Sequence, residues 1–144
     1  MYYVYKNNEV LQLDDVKEFR DKMSNYGLFI DLETMNFHEH QKGGLNLIRK
    51  RVLGKLLCYL IIKSPKKFTA NELYSAVWGV SALPLSQEVS VKTAISRLRK
   101  IIEPVGTLTY ILKTEPDFLG RRGAYYFNVN CNYCLIRPNT VSMF

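Results

Sequence analysis

The chain has 144 residues, of which 47% are hydrophobic and 23% are charged. This length suits a single domain, and the apolar content excludes a disordered chain, which would hold fewer hydrophobic residues and more charge. The longest apolar run, residues 56–62, is too short to span a bilayer, and the first ten residues lack the pattern of a signal peptide. We therefore expect a cytoplasmic protein.

The net charge of +7 is divided unevenly along the chain. Residues 1–44 hold five Lys and Arg against eight Asp and Glu, a balance of −3. Residues 45–144 hold fifteen against five, a balance of +10. A strongly basic body predicts a polyanionic partner, most often nucleic acid, although a basic surface also serves solubility alone.

The first 44 residues are predicted to form a β-rich extension with one helix. The elements are a β-hairpin at residues 2–13, a short helix at 14–27, strands at 28–32 and 35–40, and a loop at 41–44. The Lys-Asn-Asn run at residues 6–8, between β-forming residues, indicates the hairpin turn. Asp14 or Asp15 can cap the helix, and Gly27 ends it.

The basic body is predicted to hold three helices and a second hairpin. The elements are a helix at residues 47–63 with a basic cluster at 49–51, a helix at 70–78, a loop at 80–87, a helix at 88–102, and strands at 109–115 and 124–129 around a tip at 116–123. Thr69 followed by Glu72 is the capping box of the second helix. Three helices followed by a β-hairpin is the order of a winged helix-turn-helix, whose third helix enters the major groove of DNA.

The third predicted helix has an apolar side and a basic outer side. Its apolar arc holds Val91, Ile95, Leu98 and Ile102, and its opposite arc holds Thr93, Ser96, Arg97 and Lys100. Acidic residues appear only near its ends, as Glu88 and Glu103. Arginine can bond both O6 and N7 of guanine, and basic residues at the edges suit phosphate. The pattern indicates a helix that contacts nucleic acid.

Three spaced motifs in this body resemble one family of regulators. They are Thr69…Leu73…Trp78-Gly79 in the second helix, Val91…Ile95-Ser96-Arg97-Leu98-Arg99…Ile102 in the third, and Gly123-Ala-Tyr-Tyr-Phe127 in the hairpin. Together they resemble the DNA-binding domain of OmpR/PhoB-type bacterial transcription regulators. The run Thr93-Ala94-Ile95-Ser96, and the lack of Asp at position 92, look closer to the ToxR/CadC one-component branch. The resemblance covers about residues 45–130.

The resemblance implies an α+β fold. Its parts would be a winged helix-turn-helix with a three-helix core and a C-terminal hairpin wing, an N-terminal antiparallel sheet, and a short extra helix. The implied division is an acidic extension at residues 1–44, the winged-helix domain at 45–130 and a C-terminal tail at 131–144. The implied function is sequence-specific binding of double-stranded DNA by a nucleoid-associated transcription regulator. Helix 88–102 would lie in the major groove and the wing, residues 109–129, near the minor groove.

The resemblance also implies roles for individual residues. Thr93, Ala94 and Arg97 would contact base edges. The implied phosphate contacts are Thr69, Trp78, Lys92, Ser96, Arg99 and Lys100, and the implied wing contacts are Lys113, Arg121 and Arg122. The alternative interpretation, that Trp78 only packs the helix pair, is at least as well supported.

Partners other than DNA are suggested at two places. Loop 80–87 matches the segment that can touch RNA polymerase in this family. Residues 1–27, outside the family pattern, are expected to be an N-terminal piece packed on the domain, which could extend the sheet, contact a second copy or bind another regulator. We expect no receiver domain before the winged helix and no membrane segment after it. A winged helix that binds only proteins is the alternative function, because fold does not dictate function.

An enzyme or a metal protein is not expected from this sequence. It shows no nucleophile motif and no glycine-rich phosphate loop, so neither catalytic residues nor a cofactor are predicted. His38 and His40 could form a mixed zinc site with Cys131 and Cys134, but no feature of the sequence brings the two pairs together. We therefore predict no metal, and we expect Cys58, in an apolar run, to be a buried hydrophobe.

Overall fold

The computed structural model describes residues 1–47, 49–107, 110–116 and 122–140. Within these residues, the strands form one six-stranded sheet and a separate hairpin. The strands are β1 (Tyr2–Lys6), β2 (Glu9–Leu13), β3 (Leu28–Asp31), β4 (Asn36–Glu39), β5 (Gly43–Gly44), β6 (Leu112–Pro116), β7 (Arg122–Phe127) and β8 (Tyr133–Pro138). The sheet has the order β2-β1-β8-β3-β4-β5, and β6 pairs with β7 in the hairpin. The N-terminal sheet differs from the antiparallel prediction in one pair, because β8 runs parallel to β3.

β8 occupies the centre of the sheet. Its Leu135 lies opposite Tyr5 of β1 on one side and opposite Ile30 of β3 on the other. Leu135 and Ile136 are fully buried, in different apolar clusters on the two faces of the sheet. The predicted C-terminal tail is therefore corrected: most of its described part is a central strand, which a local reading of the sequence does not reveal.

Four α-helices accompany the strands in the described ranges. They are α1 (Lys17–Asp21), α2 (Arg51–Ile62), α3 (Ala70–Val77) and α4 (Pro84–Ile102), and a short 3-10 helix follows α1 at Met23–Asn25. Helices α2, α3 and α4 pack against one another, and the β6–β7 hairpin follows them. This is the predicted winged helix-turn-helix within an α+β fold. No helix in the described ranges is long and apolar enough to cross a membrane.

The start of α4 differs from the prediction. The helix begins at Pro84 rather than at residue 88, because the fixed φ angle of proline suits the first helical position, where no N–H is needed. The predicted loop at 80–87 is therefore reduced to residues 80–83. The helix predicted at 88–102 is thus longer by a full turn at its N-terminal end, which includes Leu85 and Gln87.

The starts of the two earlier helices also differ. α2 begins at Arg51 rather than at Leu47, which is buried but precedes the helix. α1 is much shorter than the predicted helix at 14–27, and the carboxylate of Asp15 accepts the backbone N–H of Lys17 at 3.0 Å just before it. Apolar spacing predicted both helices, but it did not distinguish residues within a helix from apolar residues beside it.

The N-terminal hairpin is confirmed, and its turn has a clear local cause. Asn7 and Asn8 have φ angles of 48° and 61°, the left-handed region that asparagine tolerates well. A two-residue turn with both φ angles positive has the twist that joins two antiparallel strands. The strands predicted at 28–32 and 35–40 are confirmed as β3 and β4. The predicted loop at 41–44 contains the short β5, which pairs with β4.

Two apolar cores lie on the two faces of the sheet. The larger one, which we call the main core, joins the sheet to α2, α3, α4 and the wing. The smaller one lies under α1 and includes Val4, Val16 and Phe29. An ion pair ties α1 to the sheet, since Arg20 Nε lies 2.7 Å from a carboxylate oxygen of Asp31. The Asp31 side chain is almost fully buried, so its charge is met by this guanidinium and by backbone N–H groups.

The capping box of α3 is formed as predicted. The Thr69 hydroxyl accepts the Glu72 N–H at 3.2 Å, and a Glu72 carboxylate oxygen accepts the Thr69 N–H at 2.9 Å. The bond from the Thr69 backbone N–H favours the charged carboxylate and holds the pKa of Glu72 below its usual range. The start of α3 is thus fixed by two reciprocal bonds.

We expect Leu135→Ala to lower the free energy of unfolding by about 2–5 kcal/mol, because a fully buried leucine leaves a cavity in the main core. Leu85→Ala is the matched control; Leu85 is exposed on α4, and its change should stay within about 0.5 kcal/mol. Urea unfolding followed by circular dichroism measures both. Equal, small effects would show that residues 133–138 do not form a central strand.

We expect Glu72→Gln to be less stable than the wild type at pH 7, with a difference that shrinks toward pH 3. A carboxylate whose folded pKa is lowered stabilises the fold fully above its unfolded pKa of about 4.3, and this contribution is lost as the pH falls through the lower folded pKa. Urea unfolding at both pH values measures the difference, with Glu88→Gln, an exposed carboxylate on α4, as control. A difference that is the same at both pH values would contradict the capping role.

Candidate nucleic-acid interface

The exposed side of α4 is basic and hydroxylated, as the sequence indicated. Val91, Ile95, Leu98 and Ile102 are buried in the main core. The exposed side chains between them are Lys92, Thr93, Ser96, Arg97 and Lys100, none of which is acidic. The structure therefore brings together two of the three predicted base contacts and three of the predicted phosphate contacts on one surface, which we call the outer face of α4.

Ala94 does not belong to this face. Its side chain is 6% exposed and packs in the main core, because it borders the apolar arc on the helix. Ala94 exposes only a small part of its surface, toward the α2 side of the helix, and its base contact stays a prediction. Val89 is a more accessible apolar side chain, exposed one turn before Thr93. Sequence reasoning missed it because that part of the chain was read as the join between loop and helix.

A groove of about 820 Å³ lies on one side of α4, and we call it the α2 groove. The residues that precede and begin α2 form one wall, with Arg49, Lys50 and Arg51. Thr93 and Arg97 of α4 form the other wall, and Trp78 also lines the groove. The sequence showed the basic cluster at 49–51 but gave no sign that it faces α4, since that depends on how the two helices pack.

A second groove of about 690 Å³ lies on the other side of α4, and we call it the loop groove. It is lined by Lys92, Ser96 and Lys100 of α4 and by the loop at 103–107. Lys42, from the turn between β4 and β5, lines it too and donates its ammonium to the backbone carbonyl oxygens of Lys100 and Ile101, both at 3.2 Å. A cation at the C-terminal carbonyls stabilises the end of the helix.

Arg99 fastens α4 to the wing. Its guanidinium donates to the carbonyl oxygen of Leu112 at 2.9 Å and to the hydroxyl of Thr114 at 2.8 Å, both in β6. Nearby, the buried Glu103 carboxylate accepts the backbone N–H groups of Ile111 and Leu112, each at 2.9 Å. The phosphate contact predicted for Arg99 therefore competes with a structural role that the sequence did not suggest.

Thr69 and Trp78 lie at the two ends of α3. Thr69 is exposed, and its hydroxyl is used in the capping box. Trp78 is half-buried and stacks on Tyr74, with ring centroids 5.1 Å apart and an interplanar angle of 12°. It packs the helix and also lines the α2 groove, so its packing role is observed and its phosphate contact stays a prediction.

The wing carries part of the predicted basic set. Lys113 lies in β6, opposite Tyr126 of β7, and its side chain is half-buried. Arg122 begins β7, opposite Pro116. Arg121 lies outside the described residues. The described part of the wing therefore places Lys113 on the strand itself, and the order of the hairpin agrees with the prediction.

The four residues of the zinc hypothesis are only partly brought together. Cys134 lies opposite Phe29 of β3, and Phe29 lies opposite His38 of β4, so two of the four share one row of the sheet. The described residues contain no group of three or more side chains that could hold a metal ion. Burial raises the pKa of the Cys58, Cys131 and Cys134 thiols to about 12 in each case.

The first turns of α4 and the preceding loop expose a cluster of apolar side chains. They are Val80, Leu83, Leu85 and Val89, each more than half exposed. Val80, Leu83 and Leu85 lie in the segment 80–87, for which the resemblance implies a contact with RNA polymerase that stays a prediction. Exposed apolar residues in a group mark sites of interaction more often than single ones do.

Comparison with known proteins finds similarities to the central part of the chain. Residues 48–118 match the family model described as the C-terminal domain of transcriptional regulatory proteins. None of the curated proteins matches the sequence. Among solved structures, the DNA-binding domain of the response regulator AdeR, in complex with an intercistronic region, is 25% identical with a TM-score of 0.54. That alignment covers 71% of this chain and 94% of the AdeR chain.

Two longer solved proteins are also similar. One belongs to a family of redox sensors in the streptococci that evolved from two-component response regulators, with 25% identity and a TM-score of 0.55 over 78% of this chain. The other is DrrB, an OmpR/PhoB homologue from Thermotoga maritima, with 21% identity and a TM-score of 0.52 over 78% of this chain, a likeness of fold alone. This chain spans about half of each, 47% and 50%. The family match over residues 48–118, just under half of the chain, and these neighbours show a winged-helix fold that is similar to the DNA-binding domain of a response regulator.

Proposed function

We propose that this protein regulates transcription by binding specific sequences of double-stranded DNA. α4 lies in the major groove and the wing lies near the minor groove. The observation that carries the proposal is the outer face of α4, which is exposed, basic and free of acidic side chains between its ends. The solved AdeR domain was crystallised with an intercistronic region, which supports duplex DNA as the partner of a similar domain.

The outer face divides into base-reading and phosphate-binding residues. Thr93 and Arg97 lie side by side on the exposed arc, and arginine can bond guanine with two parallel hydrogen bonds. Val89 is added to them, since an exposed apolar side chain can contact the methyl group of thymine. These three residues form the proposed reading set.

The proposed phosphate contacts surround this set. On α4 they are Lys92, Ser96 and Lys100, which lie toward the loop groove. At the two ends of α3 they are Thr69 and Trp78, and Lys113 and the two arginines at 121–122 serve the wing. Phosphate contacts position the helix without reading sequence, and each contributes a salt-dependent share of the affinity.

A protein partner is the second candidate, favoured by the exposed apolar cluster at the start of α4. RNA polymerase contacting residues 80–87 would fit a transcription activator and leaves Val89 and the outer face of α4 for DNA. A second copy or another regulator could instead bind residues 1–27, where β2 forms an open edge of the sheet. A kinship with the ToxR/CadC branch remains part of the proposal, carried by the run at residues 93–96.

The direct test of the function is fluorescence-anisotropy titration of a random-sequence 30-base-pair duplex at several salt concentrations. Micromolar binding that weakens steeply with salt is expected, because non-specific binding is almost wholly electrostatic. Selection of the operator from a random library would follow. An absence of binding at low salt would favour the protein-interaction module instead.

We expect Arg97→Ala to lose about 1–3 kcal/mol of discrimination at one base pair of the selected operator, because a bidentate contact to guanine is removed. Lys100→Ala is the comparison; it should weaken binding to all sequences alike and reduce the slope of log K against log salt by about one. Binding to the operator and to single-base variants measures both. Equal losses on operator and random DNA for Arg97→Ala would contradict its base-reading role.

We expect Arg99→Ala to lower the stability of the fold and to leave the salt slope nearly unchanged, because its guanidinium is engaged by Leu112 and Thr114 of β6. The loss in urea unfolding should be about 1–3 kcal/mol, the usual cost of leaving buried polar groups unpaired. Lys100→Ala, one residue away, should instead reduce the salt slope by about one and leave the stability nearly unchanged. A slope reduced by about one with unchanged stability would assign Arg99 to a phosphate.

A further inference from the structure

The α2 groove contains a concentrated positive charge that comes from two separate parts of the chain. Arg49, Lys50 and Arg51 are all exposed, and they face Arg97 across the groove. None of the described residues that line this groove is acidic. The ion pairs found in the described part of the chain use other cations, namely Arg20, Lys22 and Lys67.

The three cations lie where a helix does not favour them. α2 begins at Arg51, its N-cap position is Lys50, no side chain caps it, and its first turn holds no acidic residue. The N-terminal end of a helix carries a partial positive charge, so cations there are repelled rather than stabilised. A cluster that disfavours the isolated fold is expected where a bound anion offsets the repulsion.

The positions of the two grooves on either side of α4 indicate which anion would offset the repulsion among these cations. An α-helix with its side chains is about 10–12 Å wide, close to the roughly 12 Å width of the major groove, so a helix that fills it has a phosphate backbone along each side. The loop groove on one side of α4 is lined by Lys92 and Lys100, which the sequence already suggested as phosphate contacts. The opposite backbone then meets the α2 groove.

We propose that Arg49, Lys50 and Arg51 bind the phosphate backbone of the DNA strand on the α2 side of α4. The inference rests on the proposed DNA binding and adds a second helix to the interface. Two phosphate strands are then held by different parts of the chain, one by α4 and the loop groove, the other by the residues that begin α2. These cations bind without regard to base sequence, because they reach the backbone and not the base edges.

The test compares two variants with equal loss of charge. Arg49→Gln/Lys50→Gln/Arg51→Gln removes the proposed contacts, and Lys17→Gln/Lys22→Gln/Lys63→Gln removes three exposed cations from α1, its end, and the opposite end of α2. Both are titrated with the random 30-base-pair duplex and the selected operator between 50 and 200 mM salt, roughly the range over which phosphate contacts dominate the change in affinity. Thermal melting of each free variant is recorded as well.

We expect the first variant to reduce the slope of log K against log salt by about two to three, near 0.9 per lost contact, with equal fold losses on operator and random DNA. Its melting temperature should stay the same or rise, because the repulsion at the start of α2 is relieved. The control should keep most of the wild-type slope. Arg49→Gln/Lys50→Gln, which changes only residues before α2, should reduce the slope by about two and repeats the test without altering the helix.

A first variant whose slope and affinity match the control, while Arg97→Ala still weakens operator binding, would overturn this inference alone. Failure of the wild-type chain to bind either duplex at low salt would overturn the proposed function and this inference with it. A lowered melting temperature with an unchanged slope would assign the three cations to the fold and also count against the proposal.

Discussion

The insertion of β8 between β1 and β3 is the constraint on which the rest of the molecule depends. Among the described strands, β8 is the one that joins the β1–β2 hairpin to the rest of the sheet, because β1 pairs with β2 on its other side. β8 also contributes to both cores, with Leu135 on the face that meets α2, α3 and α4, and Ile136 on the face under α1. The acidic N-terminal elements and the basic winged helix are therefore parts of one packed structure.

The orientation of α4 depends on contacts at its C-terminal half. Lys42 binds the last carbonyl groups of the helix, and Lys42 itself is held by the buried Glu39, whose carboxylate accepts its backbone N–H at 2.7 Å. Arg99 and Glu103 bind the start of the wing. The sheet, the helix and the wing thus share one polar junction, which gives the outer face of α4 a fixed support.

Local patterns in the sequence predicted much of this fold. The capping box at Thr69 and Glu72, the Asn7-Asn8 turn and the apolar arc of α4 each depend on neighbours a few residues away, and each is found as predicted. β8 was not predicted, because its residues are buried on both faces and show no alternation, and its partners lie more than a hundred residues away. Its cysteine also suggested a metal ligand instead of a strand.

The candidate site divides in the same way. The exposed basic face of α4 follows from its own periodicity, so the exposure of Thr93 and Arg97 could be predicted from the sequence. The burial of Ala94, the engagement of Arg99 with β6 and the position of the cluster at 49–51 depend on packing between distant elements. Spacing along one helix indicates which side is exposed; it does not indicate what stands opposite that side.

The burial of the three cysteine thiols determines how the protein can be labelled. The thiolate is the reactive form of cysteine, and burial raises the pKa of all three thiols, so they stay protonated at neutral pH and away from reagents in solution. A single cysteine introduced on the outer surface would therefore react with a maleimide dye far faster than Cys58, Cys131 or Cys134. The native sequence can accept a fluorescent label at a chosen position without first removing its own cysteines, which allows distances between this protein and a labelled duplex to be measured by energy transfer.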